Sequence, residues 1–191
     1  MTAQGHIIFA IAITIFAKRA ILAVLLVNAD WWHLLPAALL TCLLPDIDHK
    51  NSVIGQRIRW LSIPIARVCG HRGFTHSLLC IVLLWLCLYW LYSFPKWLMP
   101  LDVIQGMIIG YLSHIMADML TSAGVPLFWP CRWRCSLPLL KTKTNYQIEL
   151  ERILCFLLIS YAFCAPTNIN LFFIKPLFNY FHNSINHLIN I

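Results

Sequence analysis

The sequence predicts an all-α fold, a polytopic membrane helical bundle with four to five membrane-embedded helices forming one domain over residues 1–191. Three observations predict it. Sixty per cent of the residues are apolar and only 11% are charged, against about 25% charged in soluble domains. A soluble chain of this size could not cover its surface with so few charges, so lipid is the expected solvent. Second, uncharged runs approach the length of a bilayer crossing. Third, ten of the fourteen Lys and Arg residues gather in two segments between those runs. The net charge of +7 therefore reads as topology signal and attraction to anionic headgroups, and no nucleic-acid partner is expected.

The N-terminal third holds the apolar runs Ile7–Ala17 and Ala20–Ala29, split by Lys18-Arg19, and then Trp31–Pro45. Each is short for a full span, which leaves short, tilted or half-inserted helices open. Met1–His6 has no basic residue, so no cleavable signal peptide is expected. Ser77–Phe94 is the clearest span: 18 uncharged residues that would rise roughly 27 Å as a helix, near the hydrocarbon thickness. Val103–Leu120 follows, interrupted only by His114 and Asp118. Ile153–Ile174 is uncharged but broken by Pro166, Asn168 and Asn170.

The basic segments 49–76 and 130–152 should face the cytoplasm and the turn 95–102 the periplasm. The two spans between the basic segments return the chain to the same side, so this assignment is self-consistent. Trp31, Trp32, Trp97, Trp129 and Trp133 fall near the resulting interfaces, where amphipathic rings collect. Most of the eight cysteines sit in apolar runs as small hydrophobes. Cys131 and Cys135 flank a basic tripeptide, but no second Cys/His pair at finger-like spacing follows.

Chemistry concentrates in three clusters: Pro45-Asp46-Ile47-Asp48-His49, His71-Arg72-Gly73-Phe74-Thr75-His76, and His114-Ile115-Met116-Ala117-Asp118. With His6 they hold five of the eight histidines and three of the seven acids. Imidazole nitrogen with carboxylate oxygen suits zinc before manganese or iron. His114 and Asp118, four apart, share one helix face, and ionisable groups in apolar segments are costly and usually functional. Thr75 is placed to cap a helix beginning at about His76. The predicted topology brings all three clusters to one membrane face; His6 joins only if the chain enters from that face, a side that Lys18-Arg19 leaves open. Each cluster also has a plainer reading: Asp46 and Asp48 as helix caps, His71 and Arg72 as headgroup-facing residues, and His114–Asp118 as a structural hydrogen bond. Glu149, Glu151, His182 and His187 read as solvated. Arg72 suits a phosphate oxygen beside a metal, and Asp48 or another carboxylate suits proton acceptance from a bound water.

Leu-Pro-Asp-Ile-Asp-His at 44–49, His-Arg-Gly-Phe-Thr-His-Ser at 71–77, Gly-Tyr-Leu-Ser-His-Ile-Met-Ala-Asp at 110–118 and Gly-Val-Pro-Leu-Phe-Trp-Pro at 124–130 together resemble the YdjM family. The resemblance runs over about residues 6–134 and is loose over 135–191. It implies a multi-pass protein of the bacterial inner membrane and a metal-dependent hydrolase, with a divalent metal at His6, Asp46, Asp48, His71, His76, His114 and Asp118. A phospholipid or other phosphoester substrate follows from a site at headgroup level. The rival expectation is a non-enzymatic metal-binding or structural membrane protein.

Overall fold

A computed structural model describes residues 1–22, 25–70, 72–93, 99–131, 133–137, 153, 155–161 and 164. Its core is four helices: α1 (Ala3–Phe16), α2 (Trp31–Thr41), α5 (Leu78–Ser93) and α6 (Leu101–Met119). Two further helices, α3 (Val53–Arg57) and α4 (Arg59–Cys69), lie between α2 and α5. Tight 3-10 turns at Leu44–Asp48 and Phe74–His76 carry two of the three sequence clusters.

Local chemistry sets the helix starts. The Thr2 hydroxyl accepts the Gly5 N–H at 3.1 Å and opens α1; Asp30 accepts the Trp32 N–H at 3.2 Å and opens α2. α5 begins two residues later than expected. Ser77 accepts the Cys80 N–H at 3.2 Å, so Ser77 is the cap and Thr75 is released for another partner. At its far end α1 widens into a π-helical turn, Ala17–Ile21.

α6 is the central helix. Gly106 and Gly110 face α2, where a Cβ on either would run into the Leu34 or Ala38 carbonyl oxygen. The two backbones therefore touch directly, and the Thr41 hydroxyl ties them by donating to Met107 O at 2.7 Å. Matching Leu34 with Gly106 and Ala38 with Gly110 makes α2 and α6 parallel. α1 runs the other way, with His6 beside His114 and Ala17 clustered with Leu34. The starts of α1 and α5 and the ends of α2 and α6 thus share one end of the bundle.

α5 buries only Ile81 and Leu88; Leu79, Val82, Leu86 and Trp90 stand exposed on its outer side. Among the described residues no helix is long and apolar enough to cross a membrane, and the 18-residue run expected to span becomes a 16-residue helix. Past α6, residues 121–131 and 133–137 fold back over the end of the bundle. Val125 and Cys135 exchange backbone hydrogen bonds of 3.1 and 2.9 Å, and Leu78 N donates to Leu127 O at 2.9 Å. Cys131 and Cys135 are free thiols. Of the later apolar run, residues 155–161 are helical, and Cys155 packs with Phe9 and Ala117. Half of the turn expected at 95–102 and most of the basic segment at 130–152 lie outside the described residues, as does the chain after residue 164.

Candidate metal centre

Asp118 is the natural starting point, because its position is the least favourable for an acid. It sits in the last turn of α6, where the helix dipole opposes negative charge, and it is 1% exposed. A buried carboxylate there needs cations or donors around it. They are present: Arg72 Nη2 at 3.0 Å from Oδ2, the Met1 amine at 3.2 Å from Oδ1, His6 Nε2 at 3.4 Å from Oδ1, and His76 Nε2 at 3.5 Å from Oδ2. His114, one turn back on the same face, places Nε2 3.9 Å from Oδ2.

The His114 imidazole is held from outside the cluster. His114 Nδ1 lies 2.6 Å from the Cys42 carbonyl oxygen. A carbonyl only accepts, so Nδ1 carries the proton and Nε2 presents a lone pair inward. That Nε2 is buried with no hydrogen-bond partner, and Asp46 Oδ1 is 3.7 Å away. His6 stacks on His114 with ring centroids 3.8 Å apart, and its Nδ1 is likewise buried without a hydrogen-bond partner. His76 stands edge-on to His114 at 5.2 Å.

Asp48 is fully buried and turned toward the 72–76 segment. Its Oδ2 accepts from the Thr75 hydroxyl at 2.5 Å and the Arg72 N–H at 2.9 Å, and lies 3.3 Å from His76 Nδ1. The freed Thr75 therefore clamps Asp48 and also sits 3.0 Å from His76 Nδ1. Tyr111, one turn before His114, donates its hydroxyl to Thr75 O at 2.5 Å. Arg72 adopts φ 57°, a conformation rare outside glycine. It aims the backbone N–H at Asp48 while the guanidinium reaches Asp118, Thr121 Oγ1 at 3.4 Å and Gly124 O at 3.5 Å. Burial works against protonation of His76, but its hydrogen bonds to Asp118 and Asp48 and their charges outweigh it and push its pKa up to about 9.

Two sets of ligand atoms, each mutually within 4.8 Å, result: His6, His114 and Asp118, and Asp46, His76 and His114. Nitrogen and oxygen donors in this mix suit zinc, manganese or iron, and the inward lone pair on His114 Nε2 is the kind of orphan a metal satisfies. The residues present fit a divalent ion. A cavity of about 330 Å³ opens over them, lined by His6, Asp46, His49, Arg72 and Asp118 among others.

Of the residues singled out from sequence, His6, Asp46, Asp48, Arg72, His76, His114 and Asp118 come together here, while His71 lies outside the described residues. His6 joins because α1 starts at this end. Lys18 then falls at the opposite end, where its amine is bonded to the Ala29 carbonyl and lies 4.5 Å over the Trp31 ring. Sequence reasoning missed the Cys42 carbonyl, Tyr111, Thr121 and the clamping role of Thr75. Tyr111 had a usable signal, a polar-tipped ring three residues before His114 and so on its face.

Fold and site together define a class: an all-helical protein that buries a histidine–aspartate constellation at one end of its bundle. The YdjM inner membrane protein family matches residues 1–172. Proteins called Inner membrane protein YdjM in Escherichia coli (strain K12) and Shigella flexneri are each 55% identical over 166 residues, covering 87% of this chain and 83% of theirs. A Bacillus subtilis (strain 168) protein called Uncharacterized protein YvsG is 32% identical over 108 residues, 56% of this chain and 64% of its own length. No solved structure matches. The chain belongs to the YdjM family and is a bacterial inner-membrane protein.

Proposed function

We propose that this protein is a membrane-bound metal-dependent hydrolase acting on a phosphoester or lipid-headgroup-like substrate at the cytoplasmic face. His6, Asp46, His76, His114 and Asp118 hold a divalent ion, zinc before manganese or iron. The observation that carries this reading is the buried His114 Nε2, its lone pair fixed inward by the bond from Nδ1 to Cys42 and turned toward two carboxylates. When bound, the ion supplies Lewis acidity and an activated water. The chain's own groups do the rest. Asp46, 23% exposed and on the cavity wall, accepts the proton of a water in that cavity. Asp48, its Oδ2 engaged by Thr75 and Arg72, positions His76, as carboxylates behind metal-binding histidines commonly do. Arg72 lines the same cavity, and its remaining guanidinium donors receive a phosphate oxygen.

In this reading the bundle is polytopic. α1, α2, α5 and α6 are membrane-embedded, with 49–76 and 130–152 cytoplasmic and 95–102 periplasmic. The outward apolar surface of α5 supports it, and helices shorter than the bilayer are accommodated by local thinning. Reporter fusions at residues 60 and 140 should lie on the cytoplasmic side and a fusion at 98 on the other; opposite sides for 60 and 140 would sink the topology.

One observation favours a second reading. Arg72 and a protonated His76 already balance much of the charge on Asp48 and Asp118, so the cluster can close on itself as a structural brace. Elemental analysis of the detergent-purified protein separates the two. The hydrolase reading expects near-stoichiometric metal, its loss in His76→Ala, and phosphate release from a phosphoester panel by the loaded protein alone. Protein without metal supports the brace.

A further inference from the structure

α4 presents two unlike sides. Ser62 is fully buried, and Ile65, three residues on and so on the same side, shares the walls of an apolar cavity with Leu44 and Ile47. That side seats the helix on the 3-10 turn at Leu44–Asp48. The other side is uncovered. Trp60, Leu61 and Ile63 are exposed, Trp60 at 76%. Arg59, Ile63 and Arg67, four residues apart, form one row along the helix, and both arginines are exposed. Arg57 at the end of α3 and Lys50 before it are exposed as well, and residues 49–76 contain no acid.

We propose that α4 lies in the plane of the bilayer surface and binds anionic phospholipid, with Trp60, Leu61 and Ile63 among the headgroups and Arg57, Arg59 and Arg67 on their phosphates. The proposal is independent of the metal and of the hydrolase chemistry and rests on the polytopic reading of the bundle. An apolar surface centred on an open tryptophan is costly in water, whereas at headgroup level the ring body meets acyl chain and its N–H meets polar groups. Arginine stems lie along the same apolar surface while the guanidinium groups reach outward to phosphate. The position fits. α4 stands at the end of the bundle that carries the metal centre and beside α5, since Ile65 shares its cavity with Leu83 and Leu84. α5 in turn directs Leu79, Val82 and Trp90 outward. A short helix with basic and apolar residues mixed on its outer side, next to a lipid-facing helix, is the arrangement of an interfacial anchor.

Charge complementarity selects an anionic bilayer over a second copy of the chain. Of the seven acids, Asp46, Asp48 and Asp118 are gathered in the metal centre and Asp30 and Asp102 stand at the other end of the bundle. Glu149 and Glu151 lie outside the described residues. Among the described residues a second copy therefore brings only Asp30 and Asp102 from outside the site, whereas an anionic leaflet presents phosphates to all four cations at once.

The test follows amide hydrogen exchange by mass spectrometry in the full chain, held one per nanodisc. One set of discs is phosphatidylcholine alone and the other an equal mixture with phosphatidylglycerol. Amides of residues 59–67 should exchange at least roughly fivefold more slowly in the mixed discs, the gain expected from about one basic residue at an anionic surface. The difference should shrink at about 1 M salt, where the Debye length falls to about 3 Å. Arg59→Gln combined with Arg67→Gln should abolish the difference, and Trp60→Ser should speed exchange of the same amides in both kinds of disc. Should the double variant unfold, shown by fast exchange in α6, the salt dependence of the unaltered protein decides. Equal exchange in the two kinds of disc overturns the proposal, as does a difference that survives both salt and the double variant. Protection that appears only in discs holding two chains overturns it in favour of a second copy. The amides of α5 report on the topology separately: fast exchange there in both kinds of disc would remove the polytopic reading, while the dependence on lipid charge at 59–67 still judges α4.

Discussion

α6 carries an aspartate near each end, and the two live in opposite worlds. Asp102, in the first turn, sits where the helix dipole favours an acid. It accepts the Asp30 N–H at 2.9 Å and lies 3.5 Å from His33, which is 47% exposed. Asp118, in the last turn, sits where the dipole opposes it, buried to 1% and ringed by three imidazoles and a guanidinium. Both ends pair histidine with aspartate. Only at the second end do the groups cost free energy to place, and a cost maintained against burial and dipole together is what distinguishes a site from a helix cap.

The sharpest way to break that comparison is to remove one histidine from each end. His114→Ala should lower zinc affinity at least ~100-fold, because it removes a ligand from both candidate sets, beyond the loss of ~10–100-fold typical when an outer-shell partner is removed. His33→Ala should leave the metal content alone. Equal metal loss in the two variants, or none in either, would erase the distinction between the ends. Asp48→Asn should fall between, at ~10–100-fold, with His76 still present but loosely held; unchanged affinity, measured by competition with a chromophoric chelator, would remove Asp48 from the support of the site.

Acidity sharpens the comparison further. His76 in the metal-free protein is raised from 6.5 to about 9, so below about 9 a proton occupies the place a metal would take. Zinc affinity should therefore climb as pH rises toward about 9 and level off above it, by up to ~10-fold per unit. The stability of the metal-free fold should run the other way: the raised pKa contributes fully below 6.5, and that contribution is lost as pH rises through about 9. Titrations of chelator-treated and zinc-loaded protein should show the two trends crossing, and parallel trends would count against His76 as the proton carrier. The smallest effect is expected at the exposed end, where Asp102→Asn should change stability by no more than ~1 kcal/mol, as for other exposed pairs. A larger loss in thermal unfolding would mean that end also matters to the fold.

Much of this was legible in the sequence where residue type and spacing act locally. The pair at 114 and 118 shares a face because four residues make about one turn, and the Asp46–Asp48 and Arg72–His76 segments flank apolar runs that must end near them. The rest depends on contacts between distant segments. The Thr75 hydroxyl was free to cap α5 until Ser77, two residues on, took that position; which of two hydroxyl residues wins is decided by where the turn lands. The tautomer of His114 is set by a backbone carbonyl, and carbonyls carry no residue signature. The placement of His6 was left open by Lys18-Arg19; the direction of α1 decides it, with Lys18 at the opposite end bonded to the Ala29 carbonyl and over the Trp31 ring.

The contact of Gly106 and Gly110 with the α2 backbone has a consequence for how the protein is made. His6 leaves the ribosome early and Asp118 more than a hundred residues later, and they meet only once α6 has packed against α1 and α2. Until then α1 carries a histidine whose stacking partner, His114, is not yet in place. If the cluster holds an ion as proposed, its loading is a late event in biogenesis, gated by the docking of the last of these helices. A bulkier residue at 110 would then leave full-length protein stalled one step short of that loading.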